Sequence, residues 1–262
     1  MISTGEMYGN VQEERDEFVV LQEKLAKRAE EAKKFAESVP LPPQLKASEI
    51  KLPDFPEEYI EATALETMYN MQEALQNILA AKRGTLAPTN NEDNHQNAKR
   101  SGYFMMSTVT ELFELMEQLE KDNFEVTKEG KAEAVDALHF VYNQLLYLKY
   151  RPKMTLQKFY DLAVEDTKTG TIGSNSLQYL IGDFIVAVGE LYQNSSYKDW
   201  RVYDTWKEDP LKIQELGDKM FIKFVKIFVN LGMTPTEIYK CYRDKNIENV
   251  NRQMSKTGRY YK

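Results

Sequence analysis

The stretch Glu129–Tyr150 constrains the fold more than any other part of this sequence, because its apolar residues recur at helical spacing on nearly every side. Ala134, Val135, Leu138, Val141, Tyr142 and Leu145 make one face, while the face that carries Glu133 and Asp136 runs on into Phe140 and Tyr147. A helix of that composition is expected to be buried. Two carboxylates close together in such a helix must be protonated, paired or bound to a cation.

Helical spacing recurs elsewhere, over Glu58–Lys82, Tyr103–Lys121, Thr155–Thr167, Leu177–Gln193, Leu211–Leu231 and Thr234–Gln253. No convincing strand alternation is present, so the expected class is all-α, a helical bundle. Between Glu13 and Val39, Phe18, Leu21, Leu25, Ala32 and Phe35 describe a surface or coiled helix. The Pro-rich run from Val39, with Pro53 and Pro56, then makes an extended connector. Residues 1–55 are thus expected to be a helical appendage and linker, and 56–262 the main domain. Thr85–Ser101 reads as a long mobile loop, and Gly170–Ser176 as a break between helices.

The net charge of −7 argues against a nucleic-acid surface, which needs concentrated Lys and Arg. Any phosphorylated ligand must bring a cation or meet a local basic cluster. Cys241 is the sole cysteine, the N-terminus lacks a signal pattern, and no apolar run approaches the roughly 20 residues that span a bilayer. The expectation is a soluble protein of a reducing cytoplasm that binds neither membrane nor nucleic acid.

The chain after residue 100 resembles itself. Glu111-Leu-Phe-Glu114-Leu, Glu133-Ala-Val-Asp136 and Met154-Thr155 are matched in order by Ala187-Val-Gly-Glu190-Leu, Glu215-Leu-Gly-Asp218 and Met233-Thr234. This reads as two degenerate helical repeats, about 103–169 and 177–253, the second having lost one carboxylate at Ala187. Glu111 and Glu114 lie three apart on one helix face, opposite the stripe Met105, Val109, Leu112, Met116 and Leu119. Packed antiparallel against the Glu133/Asp136 helix, they would complete a set of four carboxylates, hard ligands that suit Mg²⁺ or Mn²⁺. No His/Cys set has zinc spacing. His95 falls in the expected loop, and His139 fits a core or supporting role better than ligation.

Glu-x-x-Glu-Leu followed by Glu-x-x-Asp-x-x-His-Phe resembles the all-α nucleoside triphosphate pyrophosphatases, closest to the dimeric dUTPase branch that includes the dCTP pyrophosphatase-dUTPase of T-even phages. Met71-Gln72-Glu-Ala-Leu75-Gln76 is similar to that family's N-terminal helix, whose Gln faces the pyrimidine. Tyr242-Arg-Asp-Lys245-Asn246-Ile-Glu-Asn249-Val-Asn-Arg252-Gln253 resembles its Tyr-x-x-Lys-Asn-x-x-Asn-x-x-Arg-Gln signature, which holds the nucleotide and its phosphates. The four blocks lie in order over roughly residues 60 to 255. The chain departs from the family where Trp commonly follows the first carboxylate pair, Phe124 being the nearest equivalent here, and its C-terminus beyond Thr257, including Tyr260, is short.

The resemblance implies Mg²⁺-dependent cleavage of a pyrimidine deoxynucleoside triphosphate, dUTP and/or dCTP, to the monophosphate and pyrophosphate. Glu111, Glu114, Glu133 and Asp136 would hold the ions, with Glu111 orienting the attacking water. Lys245 and Arg252 would clamp the outgoing phosphates with Asn249 beside them, and Gln72 with Gln76 or Asn77 would read the base. It also implies a homodimer, and a host cytoplasm if the gene is a phage's. Two alternatives stand beside it: a broader house-cleaning nucleoside triphosphate pyrophosphatase, and a nucleotide-dependent regulatory protein that captures a partner through residues 13–39.

Overall fold

The computed structural model describes residues 55–83, 94–169, 176–195 and 209–254. They form seven helices: α1 (Ala64–Arg83), α2 (Asn94–Lys121), α3 (Lys128–Tyr147), α4 (Leu156–Thr169), α5 (Leu177–Ser195), α6 (Pro210–Asn230) and α7 (Pro235–Met254). Among the described residues there is no strand, and the class is all-α. No described helix is long and apolar enough to cross a membrane. The described residues all lie in the unit Leu45–Lys262; the expected appendage helix, residues 85–93 of the expected loop and residues 170–175 of the expected break lie outside them.

One expectation needs correcting. The stretch Thr85–Ser101 is not a loop throughout, since α2 begins at Asn94. Its first turns bury Asn97, Ala98 and Ser101. An inward face that is mostly polar gives no apolar periodicity, so the helix is invisible to a search for one.

Helix starts follow from local chemistry. Thr127 caps α3 by accepting from the Gly130 N–H at 3.2 Å, and Asp209 caps α6 by accepting from Leu211 and Lys212, with Pro210 just inside the helix. At α7, Glu237 accepts from the Thr234 N–H at 2.9 Å while its own N–H donates to the Thr234 hydroxyl at 3.3 Å, a reciprocal capping box.

Two antiparallel hairpins, α2/α3 and α5/α6, form the frame, and the helix after each crosses to the other: α4 packs on α6, and α7 on α3 and α1. The helices α3 and α6 also end alike. Lys149 (φ +54°) and Gly232 (φ +65°) are left-handed, and the next residues, Tyr150 and Met233, donate back to Leu145 and Phe228 carbonyls. Glycine removes the strain of that conformation in one half and lysine bears it in the other. With 21 residues against 20, α6 is one longer than α3, so the two match at one register near their starts and are offset by one at their caps.

Tyr142 on α3 is the hub of the core, its ring packed on Tyr69 of α1, Phe221 of α6 and Tyr242 of α7. All four rings are essentially fully buried. Truncating one such aromatic to alanine costs about 3–5 kcal/mol. Before α1, Phe55 packs on the core and Tyr239 donates to the Pro56 carbonyl at 2.9 Å, which fixes where the chain joins the bundle.

Candidate active site

The α2/α3 hairpin brings together the carboxylates of Glu111, Glu133 and Asp136, which offer ligand oxygens all within 4.8 Å of one another. All three side chains are partly buried. Glu111 does not point away from the buried stripe of its helix; it lies beside Leu112 and Leu115 and faces α3. Glu114 is exposed and outside this closest set, though near enough for its charge to act on Glu111 and Glu133.

The electrostatics are those of acids crowded without enough compensation. Burial, then Glu114, Asp136 and Glu133, push the Glu111 carboxyl up to about 7. Burial and its acidic neighbours raise Glu133 as well. Asp136 is raised by burial even though the Lys245 ammonium stands 2.8 Å away. At Lys245 burial pulls down, but the bond to Asp136 outweighs it and the ammonium is held above its ordinary range.

The arrangement fits a hard divalent cation. The donors are all carboxylate oxygens from two rigid helices, and bringing a cation among them would relieve the repulsion that holds their protons on. Lys245, on α7, supplies a positive charge at the same place. Arg252 pairs with Glu248 one turn back on its own helix and bears electrostatically on Asp136, while Asn249 lies between them in sequence and is partly buried.

Behind the carboxylates lies a buried network of neutral polar side chains. Gln72 of α1 is 1 % exposed. Its Oε1 lies 2.9 Å from the Tyr242 hydroxyl, 3.2 Å from Asn246 Nδ2 and 2.8 Å from His139 Nδ1, and its Nε2 donates to Asn143 Oδ1 at 2.7 Å. His139 stacks on Tyr242, with ring centroids 4.2 Å apart. Burial, then the Lys245 charge, lower its pKa to about 3, so its imidazole is neutral. Its Nε2 and Asn246 Oδ1 are buried without a hydrogen-bond partner.

Gln76 is also buried on α1, and the Asn77 Oδ1 is a buried acceptor without a partner. Phe124 sits in the α2–α3 link with φ +63° and is 62 % exposed, so it offers an open ring rather than a wall of the core. The network and the acid cluster share α3, where Asp136, Phe140, Asn143 and Tyr147 follow one another on one face.

A family model for dUTPase matches residues 64–257 of the chain, from the start of α1 to just beyond α7. The chain belongs to the dUTPase family. Membership supports hydrolysis of dUTP in general and makes the chain a diphosphatase. No curated protein and no solved structure matches it.

Within this dUTPase-family chain the second hairpin carries acids at the corresponding positions that each have a partner, a lysine for two of them and neutral donors for the third. Ala187 is buried, Glu190 pairs with Lys219 at 2.6 Å, Glu215 with Lys212 at 3.0 Å, and Asp218 accepts from Gln214 at 3.1 Å and from the Tyr150 hydroxyl. Gly217 makes room for that last bond, because a Cβ there would meet the Tyr150 ring at 2.5 Å. Asn143 is the network residue that the sequence reading passed over. Its only signal was an amide seven residues past Asp136, on the same face of an otherwise apolar helix.

Proposed function

We propose that the protein is a Mg²⁺-dependent pyrophosphohydrolase of a pyrimidine deoxynucleoside triphosphate, dUTP and/or dCTP, releasing the monophosphate and pyrophosphate. Family membership supports dUTP as a substrate, and the observation that carries the metal is the close, under-compensated set Glu111, Glu133 and Asp136. These three would hold the ion, with Glu114 within reach from the exposed end. When bound, Mg²⁺ offsets the charge of the triphosphate and favours ionisation of water. Glu111, in the role that the family resemblance gives it, would orient the attacking water towards the α-phosphorus. Lys245 and Arg252 attract the leaving phosphates, with Asn249 donating a neutral hydrogen bond, and Lys245 must exchange its contact with Asp136 for one with phosphate. Gln72, with Gln76 or Asn77, meets the base.

Pyrophosphate release from the four standard dNTPs and dUTP, with Mg²⁺ or EDTA, tests this reading. Turnover confined to pyrimidines and abolished by EDTA is expected. Equal turnover of the purines would favour a house-cleaning enzyme instead. The reading includes residues 1–55 as an appendage, a cytoplasmic setting and a homodimer. Exposed Tyr103, Met106 and Phe113 along α2 and Tyr179 and Val186 along α5 support the homodimer, which sedimentation equilibrium measures directly.

A further inference from the structure

The five side chains of the buried network have one property in common. Gln72, Asn143 and Asn246 are amides, Tyr242 is a hydroxyl and His139 is a neutral imidazole, and each can either donate or accept. Among the described residues, no lysine, arginine, carboxylate or backbone group beyond its own helix is bonded to the Gln72 side chain to fix the direction. The two places where an outside partner would pin it are open, since His139 Nε2 and Asn246 Oδ1 have no partner. The tautomer of His139 is therefore set only from the Gln72 side, and so is the amide orientation of Asn246. In one state Gln72 Oε1 accepts from Tyr242, Asn246 and His139, Nε2 donates to Asn143 Oδ1, and Asn143 is left with Nδ2 to offer. If Gln72 turns over, His139 changes tautomer, Asn246 and Asn143 turn with it, and Asn143 is left with Oδ1.

Asn143 lies on the same face of α3 as Asp136, two helical turns and about 10 Å along the axis. A nucleotide extended from an α-phosphate at the acid cluster brings the far edge of its base to that level. Resting on the reading of Gln72 as base-facing, we propose that this relay is reversible in polarity and that Asn143 at its end is the specificity-determining residue. With Nδ2 outward it donates to the 4-carbonyl of uracil, and with Oδ1 outward it accepts from the 4-amino group of cytosine. The same pocket then serves both bases. The states are close in energy, because a carbonyl oxygen offers two lone pairs and a turned Nε2 two hydrogens, so neither base is favoured by more than about tenfold, the worth of one neutral hydrogen bond.

The test measures kcat/KM for dUTP and dCTP with Mg²⁺ on the full chain and on Asn143→Asp. The wild type is expected to use both, with values within about tenfold of each other. Burial raises the new carboxyl, so the variant is assayed from about pH 6 to about pH 8.5; once ionised it only accepts, taking the Gln72 N–H on one oxygen and facing the base with the other. Its dUTP value should fall at least about a hundredfold while dCTP stays within about tenfold of the wild type. A folded variant with an unchanged ratio, or a parallel loss on both substrates, overturns the proposal. Should the variant not melt cooperatively, the wild type decides alone, since a preference above about a thousandfold for either base excludes a reversible reader. Hydrolysis of neither substrate by the wild type would instead remove the pyrophosphohydrolase reading and this inference with it.

Discussion

The two hairpins of this bundle are built alike and charged differently. In α2/α3 the acids Glu111, Glu133 and Asp136 crowd together with Lys245 paired to Asp136 and Arg252 and Lys121 acting from farther off, and their carboxyls still keep their protons more tightly than usual. In α5/α6 the corresponding acids each have a partner of their own, and the first position is the buried Ala187. An open cleft of about 640 Å³ between α4 and α6 is lined by Asp218 and Glu215 together with Lys219 and Lys223. A scaffold that gives its acids partners in one half and leaves them in conflict in the other is what supports the proposal that a cation completes the balance at Glu111, Glu133 and Asp136. Structural ion pairs and functional acid clusters differ in compensation, not in residue type.

The largest effect should come from the uncompensated half. Glu111→Gln or Asp136→Asn should lower dUTP turnover by at least about a thousandfold with folding intact, as pyrophosphate release and a melting curve will show. Full turnover in either variant would remove the metal assignment. Lys245→Met should cost about ten- to a hundredfold in kcat/KM, by loss of the cation paired with Asp136 and proposed to meet phosphate.

A smaller effect concerns stability. The folded Glu111 carboxyl titrates at about 7, against 4.5 ordinarily, so between those values the folded state holds the extra proton. The Glu111 contribution to stability therefore falls as pH rises through that window and levels off above it; it is read as the difference between wild type and Glu111→Gln in EDTA, which cancels the opposite slope of buried, neutral His139. Added Mg²⁺ acts in the opposite sense, binding the ionised acids, so its gain in Tm should be larger at about pH 8 than at about pH 5. An equal gain at both would show that the ion does not bind at these carboxyls. The smallest change is expected in the compensated half. Glu190→Gln and Glu215→Gln remove exposed ion pairs worth about 0–1 kcal/mol and should leave turnover within about twofold. A large loss of activity there would erase the distinction between the hairpins.

Much of this was legible in the residues. The period of the apolar positions gave the helices and the all-α class, because a buried face repeats every turn whatever it packs against. Where the buried face was polar, at Asn97 and Ser101, no apolar period marked the start of α2. The carboxylate pair on α3 was legible because ionisable groups on an apolar helix demand a reason.

Sequence alone thus determined the helices, the order of the blocks and which acids are out of place, since each is a property of spacing along one chain. Only the tertiary structure decided which acids meet. Glu111 joins Glu133 and Asp136 while Glu114, one turn away, faces outwards, because the rotation of α2 about its axis is set by packing. It also decided that Gln72 is held by His139, Tyr242, Asn246 and Asn143, four residues from two other helices. Hydrogen bonds between distant segments leave no period in the sequence, so their partners are known only when the helices are packed.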